Sequence, residues 1–423
     1  MWNCDATTKI MFDLQIAKKF DREDPLTSFR NDFQFPMHNG NEVIYLSGNS
    51  LGLKSKWAEA EVQKQLTNWG TLGVEGHFVD DVSWVDYHKN FEEGICSLIG
   101  AKRTEVVSMG SLTANLHQLL ASFYSPQGKK NKILIEKNAF SSDYFAITSQ
   151  LEHHGLDPAK HLILLEPNDQ GFYPAELVIE SIHLHADELA LVFLGGVNYL
   201  TGELFDLQKI ALITQELKIP FGVDLAHGIG NVSFELHSWG VDFAVWCTYK
   251  YLNGGPGSVG GAFVHERNFD LPKLKGWWGT RLETRFEMKH HFEAIPTAES
   301  WQVSNAPVLN MAALKGSLKL FDQAGIDSLR QKSLKLTAYL ESLLDSIQSV
   351  SILSPRDPDR RGAQLSFVVE SDLDLKSALR EKGIIIDSRR YKDTSLFRAA
   401  PVPLYNSFED VFCFASHLKE LLG

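Results

Sequence analysis

The chain predicts an α/β fold: a mostly parallel sheet sandwiched by helices, followed by a smaller α+β C-terminal domain. Three observations carry that prediction. Between about residues 100 and 265, short apolar runs alternate with helix-length amphipathic stretches, the signature of repeated βαβ units. Asp224 and Lys250 each fall just where such a run ends, and open α/β sheets bind ligands outside the carboxyl ends of their strands. Beyond about residue 310 the alternation gives way to long helical stretches, further strands and a last helix.

Each element has its own reason. KILIE (132–136), LILLE (162–166), ELALVFLGG (188–196), PFGVDLAH (220–227) and DFAVWCTY (242–249) are short and apolar, as strands buried on both faces must be. Between them SLTANLHQLLASFY, SSDYFAITSQLEHHG and DLQKIALITQELK place apolar residues three and four apart, which builds one helical face against a sheet. After the loop containing PTAESWQVSNAPV, NMAALKGSLKLFDQAG reads as a long helix and a second helix ends near Ile347. RGAQLSFVVE, an amphipathic helix, GIIIDSR and FEDVFCFASHLKELL supply the α+β ending. The expected division is an N-terminal segment, 1–50, packing near the small domain, a large cofactor-binding domain, 51–309, and a small C-terminal domain, 310–423.

Composition narrows the function. The 423 residues are 44% hydrophobic, enough for two cores. Forty-one Lys and Arg stand against 53 Asp and Glu, a net charge of -12, which argues against a nucleic-acid partner. No window reaches the roughly 18 uninterrupted apolar residues of a membrane helix. MWNCDATTKIMFDLQIAKKF lacks the basic start, apolar centre and small-residue cleavage site of a secretion signal. Cys4, Cys96, Cys247 and Cys413 are scattered without a C-x-x-C pair. A soluble cytoplasmic protein is the expectation.

Three motifs invite a function and fail. Gly48-Asn-Ser50-Leu-Gly52 matches the G-x-S-x-G elbow of serine hydrolases, but that fold needs several strands upstream of the serine. A turn whose Ser50 meets substrate remains open. His183-Leu-His185-Ala-Asp187 has the look of a metal motif, yet it lacks the further histidine and falls in a polar connection, so no metal is expected. The run from Gly254 to Gly261 holds five glycines in eight residues without the G-K-[ST] ending of a P-loop. A tight turn into GAFVHE accounts for most of them.

The spaced pair Asp224 and Lys250 is stronger. A carboxylate at a buried strand end is costly unless something cationic meets it, and Lys250 lies 26 residues on, past the next apolar run. An aspartate for a protonated pyridine nitrogen and a lysine for a covalent link are what pyridoxal phosphate asks of a protein. As pattern alone, the two residues could equally be a structural ion pair.

The flanking residues resemble one family. FGVDLAHGIGNVSFELHSWGVDFAVWCTYKYLNGGPG is similar to the lysine region of kynureninase, and YLSGNSLGL, MGSLTANLHQLL, AFSSDYFAITSQL, GVNYLTGE, GWWG, FEM, VSNAPVL and RAAPVPLYNSFED continue the likeness in order. The resemblance implies the pyridoxal-phosphate transferase type I fold, that of aspartate aminotransferase, and pyridoxal 5'-phosphate as cofactor. It implies Lys250 as the residue linked to the cofactor and Asp224 as partner of the ring nitrogen, with His227 beside it. Leu112 and Thr113 would bind phosphate at a helix start, Phe140 would stack on the ring, and Ser141, Ser142 and Asp143 would complete that wall. Tyr249 would bind phosphate and join in proton transfer. Trp277 and Asn305 would reach the phosphate across a homodimer interface, and Arg398 would clamp the substrate's α-carboxylate. Ser50, His77, Ser304 and Asn305 would meet a small amino-acid substrate.

The implied reaction is hydrolysis of the Cβ–Cγ bond of L-kynurenine or 3-hydroxy-L-kynurenine, giving L-alanine and anthranilate or 3-hydroxyanthranilate. His77 and the Ser304-Asn305 pair resemble members favouring the 3-hydroxy substrate; others carry an aromatic residue and Gly-Thr there. Gly195 departs from relatives with a hydroxyl residue at that place. The alternatives are an aminotransferase or cysteine desulfurase of the same fold, or a binding protein without turnover. A desulfurase needs a mobile cysteine, whereas Cys247 falls in an expected buried strand and Cys413 in the last helix.

Overall fold

The structure, a computed structural model, describes residues 12–79 and 83–423. Cys4 and the first eleven residues of the stretch read for a secretion signal lie outside that range. Seven strands form the central sheet: β1 (Val106–Ser108), β2 (Lys132–Glu136), β3 (Leu162–Leu165), β4 (Leu189–Gly195), β5 (Phe221–Asp224), β6 (Phe243–Cys247) and β7 (Gly260–Val264). Their spatial order is β1-β7-β6-β5-β4-β2-β3. All neighbours are parallel except β7, which runs antiparallel to both β6 and β1. That one reversal follows from the tight glycine turn after Lys250, too short for a helical crossover.

Strand periodicity explains the layers. Successive side chains point to opposite faces. Ile133, Ile135, Leu191, Phe193, Phe243 and Val245 therefore pack with Leu116, Leu120, Ile147 and Leu151 of the helices Leu112–Phe123 and Ser141–His153. Leu134, Val192, Leu194, Ala244 and Trp246 turn the other way, onto a core with Val178, Ile210, Met311 and Leu318. Both faces are covered, so the strands read as continuous apolar runs instead of alternating ones.

A separate core lies toward the C-terminus. Leu336, Leu340 and Leu343 of the helix Ile326–Leu344 pack with Leu365, Phe367, Phe397 and the helix Phe408–Leu422. Four antiparallel strands carry it: β8 (Val350–Ile352), β9 (Leu365–Val369), β10 (Asp387–Tyr391) and β11 (Thr394–Ala399), ordered β8-β9-β11-β10. Two details differ from the sequence reading. GIIIDSR is not one strand: Ile384–Ile385 pairs in parallel with Ile44–Tyr45, and only from Asp387 does the chain join the four-stranded sheet. Thr394–Ala399 is a strand that its mixed composition concealed. The helix Val308–Ala324 spans the expected border at residue 310 and buries Met311, Leu314 and Phe321 in the large core.

The N-terminal segment is tied to the C-terminal core. Ala17 and Leu46 are fully buried members of it, and Asp21 accepts from the N–H groups of Phe408 and Glu409 at the start of the last helix. Lys332 and Asp24 form an ion pair of 2.7 Å with both side chains almost wholly buried. Among the described residues, no helix is long and apolar enough to cross a membrane.

Removing one member of a buried ion pair leaves the other uncompensated, at a cost of about 3–5 kcal/mol. Lys332→Met is expected to lose stability of that order in urea unfolding. Lys54→Met, which breaks the exposed Lys54–Glu59 pair, is expected to cost less than about 1 kcal/mol. Equal effects of the two variants would contradict the reading of Lys332 as the clasp of the N-terminal segment.

Candidate active site

Strand registry brings the first two site residues together. Asp224 ends β5, opposite Val245 of β6 and Gly195 of β4, and Lys250 follows β6 within one turn. Both therefore sit at the carboxyl edge of the parallel strands. They line one cavity of about 150 Å3 with Thr113, Ser142, Asp143 and His227. Leu112, Phe140 and Tyr249 complete the predicted part of its wall.

The loop after Lys250 is fastened on two sides. Thr248 Oγ1 donates to Val259 O at 2.5 Å, the Gly254 N–H to Thr248 O and the Asn253 N–H to Lys250 O. Gly255 and Gly257 adopt positive φ, and a Cβ on either would meet nothing within 4 Å, so they serve the turn. Gly260 is different, because a Cβ there would lie 2.9–3.0 Å from the backbone of Ser111 and Leu112. That close approach seats the start of helix Leu112–Phe123 against the sheet edge. The N-cap, Ser111, makes no side-chain capping bond, which leaves the helix's first N–H groups available to an anion. Thr113 Oγ1 and Ser142 Oγ, 2.7 Å apart, link this helix to the next, which begins at Ser141.

From the far side comes the turn Gly48–Gly52. The Gly52 N–H donates to Tyr249 O at 2.8 Å, and a Cβ on Gly52 would collide with Asn253 and with the carbonyl of Lys250. Asn49 Nδ2 donates to Gln364 Oε1. The motif is thus a spacer between Lys250 and the C-terminal core. Ser50, half-buried, does not line the cavity.

The electrostatics are those of crowded carboxyls. Asp224 Oδ1 accepts from the Ala226 N–H at 2.6 Å. Burial raises the pKa of Asp224, while the Lys250 charge and a hydrogen bond from Asp143 favour its ionised form. Asp143 is raised well above the ordinary range by burial and by the Asp224 charge, so it holds the shared proton. Burial and the charges of Lys250, Arg398 and Arg389 keep His227 neutral. Tyr249 is also held as a neutral phenol, mainly by burial. The ring of Phe140, 43% exposed, has its centroid 5.8 Å from Lys250 Nζ.

Six further predicted residues stand elsewhere. Arg398 is buried, donates to Tyr199 O at 2.6 Å and pairs with Asp387, while its Nε has no partner among the described residues. It stands behind the cavity wall instead of on it. Trp277, 48% exposed, donates through Nε1 to Arg285 O. Gly276 packs on Val303, which brings Trp277 beside the exposed residues Ser304 and Asn305. His77 lies near the same face: ring contacts run from His77 to Phe78, Phe286 and Trp277 at 6.1, 5.9 and 5.7 Å between centroids. These four form an exposed aromatic and polar surface apart from the cavity of their own chain. Ser141 heads its helix but is exposed and absent from the wall.

The structure also supplies residues that the sequence reading left out. Glu136, Val197, Asn198 and Tyr199 line the cavity, and so does Gly195, which the sequence had marked as a departure from relatives. Glu136 ends β2 as Asp224 ends β5, so the signal that singled out Asp224, a charge closing an apolar run, applied equally to it. Among the described residues, Glu105, His237 and His265 have ligand atoms within 4.8 Å of one another. They lie at the opposite end of the sheet, where Glu105 precedes β1 and His265 follows β7. His183, His185 and Asp187 do not converge in this way.

Comparison with known proteins agrees with the geometry. A sequence profile described as Kynureninase C-terminal domain matches residues 329–418. Kynureninase of Myxococcus xanthus (strain DK1622) is 47% identical over 423 residues, covering 98% of this chain and 99% of that protein. The apo structure of cysteine desulfurase from Thermococcus onnurineus NA1 superposes with a TM-score of 0.78 at 19% identity, over 93% of this chain and 97% of that one. A C-DES mutant with glycine covalently linked to its PLP cofactor gives 0.76 at 16% identity, over 89% and 96%. These likenesses to solved structures carry the fold, that of the type I pyridoxal-phosphate enzymes. The near end-to-end identity carries more: the chain belongs to the kynureninase family.

Proposed function

We propose that the protein is a pyridoxal-phosphate-dependent hydrolase that cleaves the Cβ–Cγ bond of L-kynurenine and, preferentially, 3-hydroxy-L-kynurenine, releasing L-alanine and the aromatic amino acid. The observation that carries this is the opposition of Asp224 and Lys250 across one cavity, at a sheet edge beside an uncapped helix start. That set fits the cofactor: a cation-compensated carboxylate for the ring nitrogen, an amine for the covalent link and N–H groups for the phosphate.

Pyridoxal phosphate, when bound, supplies an electron sink for the substrate's reacting carbons. Lys250 would hold it through Nζ, and the same amine, when free, can carry a proton to or from the substrate. Asp224 keeps its negative charge for the ring nitrogen because Asp143 carries the proton of the pair. Neutral His227 adds no competing charge beside it. Leu112 and Thr113 receive the phosphate at the helix start, and Phe140 covers the ring. Tyr249, a neutral phenol, is placed in the role of proton carrier at Oη while water adds to the substrate's γ-carbonyl. Arg398 stands behind Tyr199 of the wall, and to receive the α-carboxylate it would exchange its contact with Asp387 or Tyr199 O for the substrate.

His77, Trp277, Ser304 and Asn305 act in the cavity of a second copy, so the working form is a homodimer. The exposed surface running from His77 to Trp277 supports this, since contiguous apolar exposure marks an interface. A cysteine desulfurase is the weaker reading: Cys247 is buried at the end of β6, where burial pushes its thiol up and away from the reactive thiolate.

Protein loaded with pyridoxal phosphate is expected to yield equimolar alanine and aromatic amine from each kynurenine, measured by chromatography. No alanine from either would sink the assignment. Lys250→Ala is expected to lose roughly 10²–10⁴-fold or more in turnover, and borohydride reduction of the loaded protein to label Lys250 alone. Replacing His77 by Phe together with Ser304→Gly and Asn305→Thr is expected to move the ratio of kcat/KM values about 10- to 100-fold toward unsubstituted kynurenine. An unchanged ratio would remove these residues from substrate choice.

A further inference from the structure

One wall of the cavity is built by a residue to which the proposed reaction gives no task. Glu136 ends β2, and one strand separates it from Asp224: β4 lies between β2 and β5, and at that level β4 presents Gly195. Backbones two strands apart lie roughly 10 Å from one another, too far for ordinary carboxyl contact if a side chain stood between. None does. The carboxyl of Glu136 extends over the bare backbone of Gly195 and accepts its N–H at 3.2 Å, and a Cβ on Gly195 would lie 3.1 Å from Glu136 Oε1.

The surroundings of Glu136 are anionic and poor in compensation. Facing it are Asp224 at the end of β5, Asp143 on the helix from Ser141, and Glu203 and Tyr199 on the hairpin after β4. Tyr173 approaches from the chain after β3, and Lys250 lines the same cavity. Glu203, also buried, accepts twice from Tyr173 N–H and pairs with Arg360 at 2.7 Å, and burial pushes its carboxyl up to about 7 too; unlike Glu136, it does not line the cavity. Glu136 is held by backbone N–H groups alone among the described residues. A carboxyl so placed is a proton store, not a structural anion.

We propose that Glu136 is a positioning residue of the cofactor cavity, holding or releasing one proton across Gly195 and so setting the negative charge that the Asp224–Asp143 pair presents to the bound group. This rests on the pyridoxal-phosphate reading above. Burial and the Asp224 charge push Glu136 up to about 7, so its proton is exchanged near neutrality. Below that point Glu136 is neutral and Asp224 carries the local charge. Above it a second negative charge favours any protonated group of the bound cofactor and raises that group's apparent pKa.

The test uses the loaded protein and its visible absorption between about pH 5 and 9. The unmodified protein is expected to titrate more shallowly than a one-proton curve, because two groups exchange protons together. Glu136→Gln is expected to give a one-proton curve with its midpoint lower by about half a unit to one unit. A purely structural Glu136 would change cofactor retention or unfolding temperature and leave slope and midpoint unmoved. Gly195→Ala keeps the carboxyl but displaces it, and its midpoint is expected to differ from that of the unmodified protein. Superimposable titrations of the three proteins would overturn the role of Glu136 while leaving the proposed function standing. Protein that takes up no pyridoxal phosphate would overturn both.

Discussion

The buried charge of Asp224 is the constraint around which the rest of the molecule is arranged. A carboxylate taken from water into a sheet edge is unstable unless cations and donors meet it. Here they arrive from three separate places: Lys250 from the end of the neighbouring strand, a proton from Asp143 on a helix, and the Ala226 N–H from its own chain. Each supplier needs its own element held still. Parallel pairing of β5 with β6 brings in Lys250, and packing of the helix Ser141–His153 on the sheet brings in Asp143.

Holding those elements close requires absent side chains. Gly260 lets the helix at Leu112 descend onto the sheet edge, Gly52 lets the N-terminal turn touch the Lys250 carbonyl, and Gly195 leaves the space that Glu136 enters. None of the three needs a positive φ. Their purpose is room, whereas Gly255 and Gly257, in the same glycine run as Gly260, serve backbone direction. The turn at Gly52 also couples the cavity to the C-terminal core, since Asn49 beside it bonds Gln364 and Ser47 pairs with Ala400. The position of Lys250 is thus coupled to the seam between the two cores.

Much of the fold was legible because buried strands and amphipathic helices leave periodic traces. The five strands from KILIE to DFAVWCTY and the helices between them stand where their patterns put them. Thr394–Ala399 was not legible: its first two residues face solvent and its arginine is buried by pairing, so its composition is not that of a strand. GIIIDSR divides because its apolar residues serve Ile44–Tyr45 while its polar end joins another sheet. Of the predicted site, nine residues meet in one cavity, since all hang from one sheet edge or the helices beside it. His77, Trp277, Ser304 and Asn305 lie on another face, where a single chain gives them no cavity.

By itself the sequence determined the alternation of strands and helices, the charges that close two strands, and the ordered motifs of the kynureninase family. Those are properties of spacing along one chain, and spacing is written in the sequence. Only the tertiary structure decided that Arg398 stands behind the wall, bound to Asp387, and that Gly48–Gly52 is a spacer for Lys250. It alone set Glu136 and Asp224 on one cavity, across a strand that carries no side chain at that point. Such facts depend on strand order and on what is missing between neighbours, and residues far apart in sequence give no local trace of either.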